Sequence, residues 1–447
     1  MSKRIIVFAA ILAVSLMGAA FAEVENIKVS GDITVYGISR TDYDGHARQA
    51  NYMADDISAL MSIMRLRVDA DLTEDVSATV RLINSRVWGE VTNANTDIDL
   101  DLAYVTLREF LGYPITLMVG RQEIKLGQGM IVGDPTPVGN GFLGTAADSN
   151  LPSMLGDLDP RKAFDAIVAI VDLEALDIPF TVTSGYAKID EGAETTAPSG
   201  IAREDDTNLW FVNVGFPVLD TTMTEVYYIL KDDQQHRNAS DTETRTGLAD
   251  SKDYVGNFGV RAVSQINDNL SAVGEIAYQH AKPRTGDSKT RSDLGFLIGA
   301  EWAFLEEDWN PTLGIHYAYF SRNWDPMYED LTPTNIVNAI FPNSNISCIG
   351  LTATAAPQED ILLKLQWCNY KLAEKLEGMT TFTTPYAVFA INEDKDVGNE
   401  IDLAVLYDYT EDVQMGLNFD TFMPGDFFHE DNDDTAFQVL SSLKVSF

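Results

Sequence analysis

The sequence predicts an all-β fold, a transmembrane antiparallel up-and-down β-barrel of about 18 strands, with short periplasmic turns and long extracellular loops. Three observations predict it. The chain opens on an export signal, it then holds no apolar run long enough for a membrane helix, and apolar and polar residues alternate with period two in short segments as far as Phe447.

Lys3 and Arg4 precede an apolar run from Ile5 to Phe21, and Ala20-Phe21-Ala22 stands before Glu23. A charged start, an apolar middle and a small-x-small end are the parts of a secretory signal peptide. Residues 1–22 are expected to be removed, leaving 23–447 as one barrel domain. Beyond Glu23 no stretch reaches the roughly 18 uncharged apolar residues that a spanning helix needs. Lipid cannot satisfy free backbone N–H and C=O groups, so without helices the chain can cross only as a closed sheet.

Alternation supports the closed sheet directly. Met64, Leu66, Val68, Ala70 and Leu72 fall on one face of a strand, with Arg65, Arg67, Asp69 and Asp71 on the other. An apolar face suits lipid and a charged face suits a water-filled lumen. The last segment repeats the pattern, with Phe437, Val439, Leu443, Val445 and Phe447 against Gln438, Ser442, Lys444 and Ser446. Comparable segments fall near 27–38, 76–87, 98–110, 114–122, 163–173, 178–188, 207–216, 222–232, 255–266, 270–281, 292–304, 311–322, 345–356, 360–371, 400–409 and 412–422. Each is close to the roughly 9–11 residues that a tilted strand needs.

Connections alternate as well. Thr73-Glu74-Asp75, Asn267-Asp268-Asn269 and Tyr409-Thr410-Glu411 are tight turns, whereas 41–60, 123–162, 189–206, 233–254, 323–344 and 372–399 are long and polar. That rhythm places both chain ends on the periplasmic side. The 123–162 segment is rich in Gly and Pro, and two readings of it stay open: an inward-folded constriction or plug, and an exposed surface loop. Trp88 and Trp210 are candidates for an outer aromatic girdle, and Phe216, Trp302, Tyr407 and Phe447 for the periplasmic one.

Formal charge is −37, and loss of Lys3 and Arg4 with the signal takes it to −39. Nucleic acid is excluded as a partner, because its phosphates need Lys and Arg to displace their counterions. The remaining partners are outer-membrane lipid and a hydrophilic solute or polysaccharide. Acidic runs at Asp97, Asp99 and Asp101, at Asp157 and Asp159, and at 430–434 offer calcium ligands, but without EF-hand spacing they read first as solvated loop charge. No cofactor is expected otherwise.

Catalysis finds no motif. His46, His236, His280, His316 and His429 are scattered, with no H-E-x-x-H, G-x-S-x-G, Walker or C-x-x-C pattern, so neither an enzyme nor a metal centre is expected. The two cysteines, Cys348 and Cys368, each lie ten residues from Gln358, the centre of a hairpin turn. They would face each other either as a cross-strand disulfide or as two buried free thiols. The functional handle is instead lumen charge. By alternation Arg65, Arg67, Arg81, Arg261 and Lys364 point inward alongside Asp32, Asp69, Asp101, Glu275, Asp402 and Asp420, and fixed charge in a narrow pore sets which solutes pass.

One stretch carries a family resemblance. Asp101-Leu-Ala-Tyr104, a tight turn, and then Gly120-Arg121-Gln122-Glu123 running into Gly127-Gln128-Gly129 resemble the outer-membrane alginate-export family, as do the hairpin from Met64 to Leu82 and the segment Arg161-Lys-Ala-Phe-Asp165. The resemblance implies a monomeric barrel of about 18 strands, in the cell outer membrane, through which an anionic polysaccharide diffuses past an arginine-rich constriction. Carried over, it implicates Arg65, Arg67, Arg81 and Arg121 as pore-lining cations, with Asp101, Glu123 and Asp165 holding them. Composition departs from that pattern, since 31 Lys and Arg face 68 Asp and Glu. The expectation is a porin-like passive channel for small hydrophilic solutes or oligo- or polysaccharide. The alternative is a structural or adhesive barrel without transport.

Overall fold

The computed structural model describes residues 26–43, 56–89, 98–135, 153–191, 206–233, 254–281, 291–305, 307–331, 333–383 and 388–447. The export signal and the junction before Glu23 lie outside them. In chain order the strands are β1 Asn26–Thr41, β2 Ile57–Thr73, β3 Val76–Val87, β4 Asp99–Leu107, β5 Ile115–Glu123, β6 Ala163–Asp172, β7 Thr181–Asp190, β8 Thr207–Leu219, β9 Thr222–Asp233 and β10 Tyr254–Gln265. They continue with β11 Leu270–Ala281, β12 Arg291–Ala303, β13 Thr312–Phe320, β14 Ile346–Gln358, β15 Ile361–Leu372, β16 Thr381–Thr383, β17 Val388–Ala390, β18 Asp396–Thr410, β19 Val413–Pro424 and β20 Ala436–Ser446.

All but β16 and β17 belong to one 18-stranded sheet in which each strand pairs antiparallel with its neighbours in the chain. β20 then pairs with β1 from Asp32↔Ser446 to Thr41↔Phe437, closing the cylinder. Closure removes every sheet edge, which is the condition for a sheet to sit in lipid. The last residue takes part: Gly31 N–H donates to the Phe447 carbonyl at 2.9 Å and Phe447 N–H returns the bond at 3.0 Å. Gly31 has to be small here, since a Cβ would stand 2.8 Å from the Phe447 ring and 2.4 Å from the Arg65 carbonyl oxygen.

Strand faces sort by chemistry as alternation requires. Val29, Val68 and Val80 pair across β1, β2 and β3 on one face, and Val29 and Val80 stand 58% and 41% exposed. Leu60, Met64, Val105, Val119, Ile167, Trp210, Phe258, Ile298, Leu351, Leu403 and Phe437 continue that exposed apolar belt round the wall. Soluble monomers rarely expose apolar patches beyond a few hundred Å², so a belt of this extent belongs against hydrocarbon. No helix among the described residues is long and apolar enough to cross a membrane. Trp88, Trp210, Trp302 and Phe447 are likewise exposed, as a girdle needs.

The inner faces meet two clusters of buried apolar residues. The larger joins inward side chains of β6 to β15, such as Phe211 and Ile229, to residues of the long connections, such as Ile131 and Trp324. The smaller packs Leu155 on Ile38, Met61, Ile63 and Ile83 of β1 to β3. A short helix, α1 Ile336–Ile340, lies in the connection from β13 to β14.

A charge on the outer face tests this arrangement. Val80→Arg is expected to cost about 2–4 kcal/mol in denaturant unfolding from bilayers, the penalty of a cation near the bilayer midplane. The same change at the inner residue Ser77 should cost far less.

Candidate functional site

The lumen wall formed by β1 to β5 carries a ladder of ion pairs. Arg65 Nε donates to Asp32 at 2.9 Å, and Arg67 Nε to Asp69 at 2.8 Å. Asp69 also accepts from Thr79 Oγ1 at 2.7 Å. Arg81 Nε donates to Asp101 at 2.5 Å, and its Nη2 to Glu123. Further round, Arg261 Nη1 meets Glu225 at 2.9 Å. Lys364 shares the inner phase of β15 with Gln366 and Cys368, is exposed, and has no ion-pair partner among the described residues.

Asp101 reaches the ladder through a break in the pairing. Arg81 pairs with Leu102 and Leu82 with Leu100, so Asp101 is an extra residue in β4. Both Asp101 and Leu102 are consequently buried while Leu100 is 48% exposed. A bulge of this kind re-aims a side chain, and here it brings a carboxylate to face Arg81.

The long connections fold inward. Residues 124–135, leaving β5, bring the Gln128 N–H to 2.9 Å from the Glu275 carboxylate on β11, six strands away round the wall. Only a path across the lumen connects those places. Gly127 has φ +59, and a Cβ there would stand 2.7 Å from Glu275. Glycine therefore lets the backbone dock on that acid. The 321–345 connection crosses to meet this segment, with Gly133 N–H donating to the Tyr328 carbonyl at 2.7 Å and Asp330 N–H to the Gly129 carbonyl at 2.7 Å. Lys125 and Lys162 hold Asp330 at 2.9 and 2.5 Å, and Lys231 on β9 holds Asp325 at 2.6 Å. On the far side, Glu400 of β18 caps α1, accepting from Thr334 Oγ1 at 2.7 Å and from the N–H groups of Ile336 and Val337 at 2.5 and 2.7 Å.

A third inward piece follows at 153–162. Arg40 of β1 is fully buried and grips Asp157 with two bonds, 2.9 and 2.6 Å, while its Nε donates to Gln438 at 2.7 Å. Arg161 bridges Asp99 at 2.7 Å and Asp159 at 2.9 Å. The inward reading of the 123–162 segment therefore holds for both of its described parts. Acids proposed as calcium ligands, Asp99, Asp101, Asp157 and Asp159, are turned onto arginines.

Two carboxyls of the crossing loop are held in opposite states. Burial opposes ionisation of Asp330, but the ammonium groups of Lys162 and Lys125 prevail and keep it below the usual carboxylate range. Glu329, beside it, is pushed up to about 8 by burial, with the charges of Asp325 and Asp330 adding and the Asn343 N–H opposing. One of its carboxyl oxygens has no hydrogen-bond partner among the described residues, as suits a neutral acid.

Three expectations need correction. Cys348 and Cys368 are not opposed, because the hairpin turns at Glu359-Asp360, with Gln358 paired to Ile361, and the one-residue irregularity between Ala355 and Gln358 recovers only part of that offset. Cys348 faces Tyr370 and Cys368 faces Gly350, which leaves the cysteines diagonal, about 7–8 Å apart at Cα and beyond comfortable disulfide reach. Both are buried free thiols. Asp165 does not line the pore either. β6 pairs in unbroken register, its Phe164, Ala166 and Val168 entering the interior core, so Asp165 shares the outer face with exposed Ile167. Its cross-strand partner Arg121 shares the outer phase of β5 with exposed Val119 and meets it there at 3.9 Å, near the long-loop end, so Arg121 does not line the pore as the resemblance implied. Gly120, just before Arg121, has φ +126, and a Cβ would stand 2.2 Å from the Ala103 carbonyl oxygen, which explains the glycine of that motif. Arg40, Lys125, Lys162 and His316 were missing from the sequence-derived site. Each acts on residues far away in the chain, and local patterning holds no signal for such contacts.

A closed antiparallel cylinder with an apolar outer belt and a charged lumen narrowed by its own loops is an outer-membrane β-barrel channel. Residues 30–440 match the family model described as Alginate export, and the chain belongs to that family. No curated protein matches it. Among solved structures it is similar to Pseudomonas aeruginosa OpdQ, at 12% identity and TM-score 0.54, over 95% of this chain and 100% of that one. Pseudomonas aeruginosa OccK11 (OpdR) is similar at 10% identity and TM-score 0.57, over 95% and 97% of the two chains. The outer membrane protein OprD from Pseudomonas aeruginosa follows at 8% identity and TM-score 0.52, over 95% and 96%. At such identities these structures show a shared fold.

Two measurements probe the inward loops. Asp157→Ala removes the two charged hydrogen bonds that Arg40 makes to this segment and should cost about 1–3 kcal/mol, with protease cleavage gained at 153–158. Glu329 sets a pH dependence. Its folded value lies above the ordinary carboxylate value, so its contribution is complete below that ordinary value and fades as pH rises to about 8. Cleavage within 321–345 should increase from about pH 5 to about pH 9 in the native chain and stay level in Glu329→Gln.

Proposed function

We propose that this outer-membrane channel passes small, uncharged or weakly charged hydrophilic solutes, sugars foremost, by passive diffusion as a single chain without catalysis. The observation that carries the reading is the ladder on β1 to β3, in which Arg65 and Arg67 are each matched by a carboxylate, Asp32 and Asp69. A cation already paired offers a passing polyanion little net attraction. Paired donors and acceptors along one wall do suit the hydroxyl groups of sugars, which both give and accept hydrogen bonds. Chain composition points the same way, with 68 acids against 31 bases. A closed wall without free edges needs no partner subunit, which supports the monomer, and passage of this kind requires no bound cofactor.

Planar-bilayer recordings test the proposal. The native chain should give discrete conductance steps that neutral oligosaccharides reduce at lower concentration than oligouronates do. Arg65→Ala with Arg67→Ala leaves Asp32 and Asp69 unpaired and should move the reversal potential toward cations. Block by oligouronates at much the lower concentration would establish a polyanion conduit instead. Absence of steps would favour a structural barrel.

A further inference from the structure

Three soft donors converge on the inner wall where β13, β14 and β15 lie side by side. His316 pairs with Gly350, and Gly350 with Cys368, so one row across the wall reads imidazole, no side chain, thiol. A Cβ at residue 350 would stand 2.3 Å from His316 Nε2 and 2.8 Å from Cys368 Sγ, so its absence is what lets the ring lie across the middle strand. Cys348, two residues earlier on β14, enters from the diagonal. His316 Nε2 then stands 3.6 Å from Cys368 Sγ and 3.8 Å from Cys348 Sγ, and the three donor atoms all lie within 4.8 Å of one another.

The two nitrogen–sulfur separations match the edges of a coordination tetrahedron. Zinc bonds of about 2.0 Å to nitrogen and 2.3 Å to sulfur, at a tetrahedral angle, put N and S about 3.5 Å apart. Both thiols are buried, at 3% and 0% exposure, while His316 is half-buried, which leaves a way in from the lumen. Gln366 Nε2, 3.8 Å from Cys368 Sγ, stands where it can support a thiolate. Glu400 pairs with Cys368 in register but is committed to α1, which leaves the fourth position for water.

We infer that His316, Cys348 and Cys368 form a binding site for a thiophilic divalent cation of the zinc class. On binding, two S–H bonds break, two metal–sulfur bonds and one metal–nitrogen bond form, and two protons leave to solvent. The charge of the ion is then balanced by two thiolates, so the site is neutral, as burial requires. No electron changes hands. Calcium and magnesium are excluded by the donor set, since they take oxygen ligands. The ion would tie three strands together beneath the loop that carries α1.

The test uses the full processed chain in detergent, with both thiols reduced, dialysed against Zn2+ and analysed for bound metal. About one Zn2+ per chain is expected, with Co2+ giving thiolate-to-metal absorption bands in its place. Cys368→Ser and His316→Ala should each weaken binding by more than about 100-fold, beyond what loss of an outer-shell group does. Gly350→Val keeps every ligand yet fills the place of the ring, and it should lose the ion too. Heat-dependent gel mobility identifies which variants still form barrels. Protection of both thiols from alkylation by Zn2+ in the native chain gives a reading that needs no variant. Failure of the reduced native chain to retain Zn2+, equal uptake by Cys368→Ser, or a Cys348–Cys368 disulfide in freshly isolated protein would each overturn the site.

Discussion

Closure of the β1–β20 pairing is the constraint on which everything else depends. A strand at the edge of an open sheet leaves a row of N–H and C=O groups unpaired, and each costs several kcal/mol in hydrocarbon. Joining Asp32–Thr41 to Phe437–Ser446 removes that cost from β1 and β20, the two strands that would otherwise be edges. Once the cylinder is shut, period-two alternation becomes a strict sorting rule. Outer positions within the hydrocarbon must be apolar, charge such as Asp165 being confined to the strand ends, and inner positions are free to carry the charge that the lumen uses.

Inside, a second constraint follows from narrowness. Charges held between the wall and the inward loops have lost part of their water, so they must find partners. The ladder of Arg65, Arg67 and Arg81 with Asp32, Asp69 and Asp101 meets this demand on one wall. Arg40–Asp157, Lys231–Asp325 and the two lysines on Asp330 meet it for the loops. The same pairs thus do two jobs, fixing the constriction and setting its field. An excess of 37 negative charges over the chain is compatible with this interior, because the arginines and lysines that matter are concentrated where acids would otherwise stand alone.

Much of the barrel was legible in the sequence, and the reason is local. Alternation within one strand and the length of one turn are properties of neighbouring residues, so β2 and β20 could be read directly, as could the hairpin turns at Glu74 and Asp268. The sequence around Asp101 was harder. Read from Asp99 the acids fall on the inner phase, read from Tyr104 they fall on the outer one, and only the bulge reconciles the two. A turn centred one to two residues beyond Gln358 likewise left Cys348 and Cys368 out of opposition. Asp165 failed for the opposite reason, since a family likeness was followed there where plain alternation with Ile167 was the better guide. The inward loops and the company of His316 were out of reach, because contacts such as Gln128 with Glu275 join residues 147 positions apart.

Cross-linking across the seam tests the closed cylinder most directly. Val35 and Leu443 are paired in register between β1 and β20, the first and last strands of the chain. With Val35→Cys and Leu443→Cys introduced into a chain whose Cys348 and Cys368 are both replaced by serine, mild oxidation in intact outer membranes should join the two strands and produce a species of altered mobility on denaturing gels. Cross-linking at Val35 with residues of another chain, or with none, would contradict a wall that the chain closes on itself.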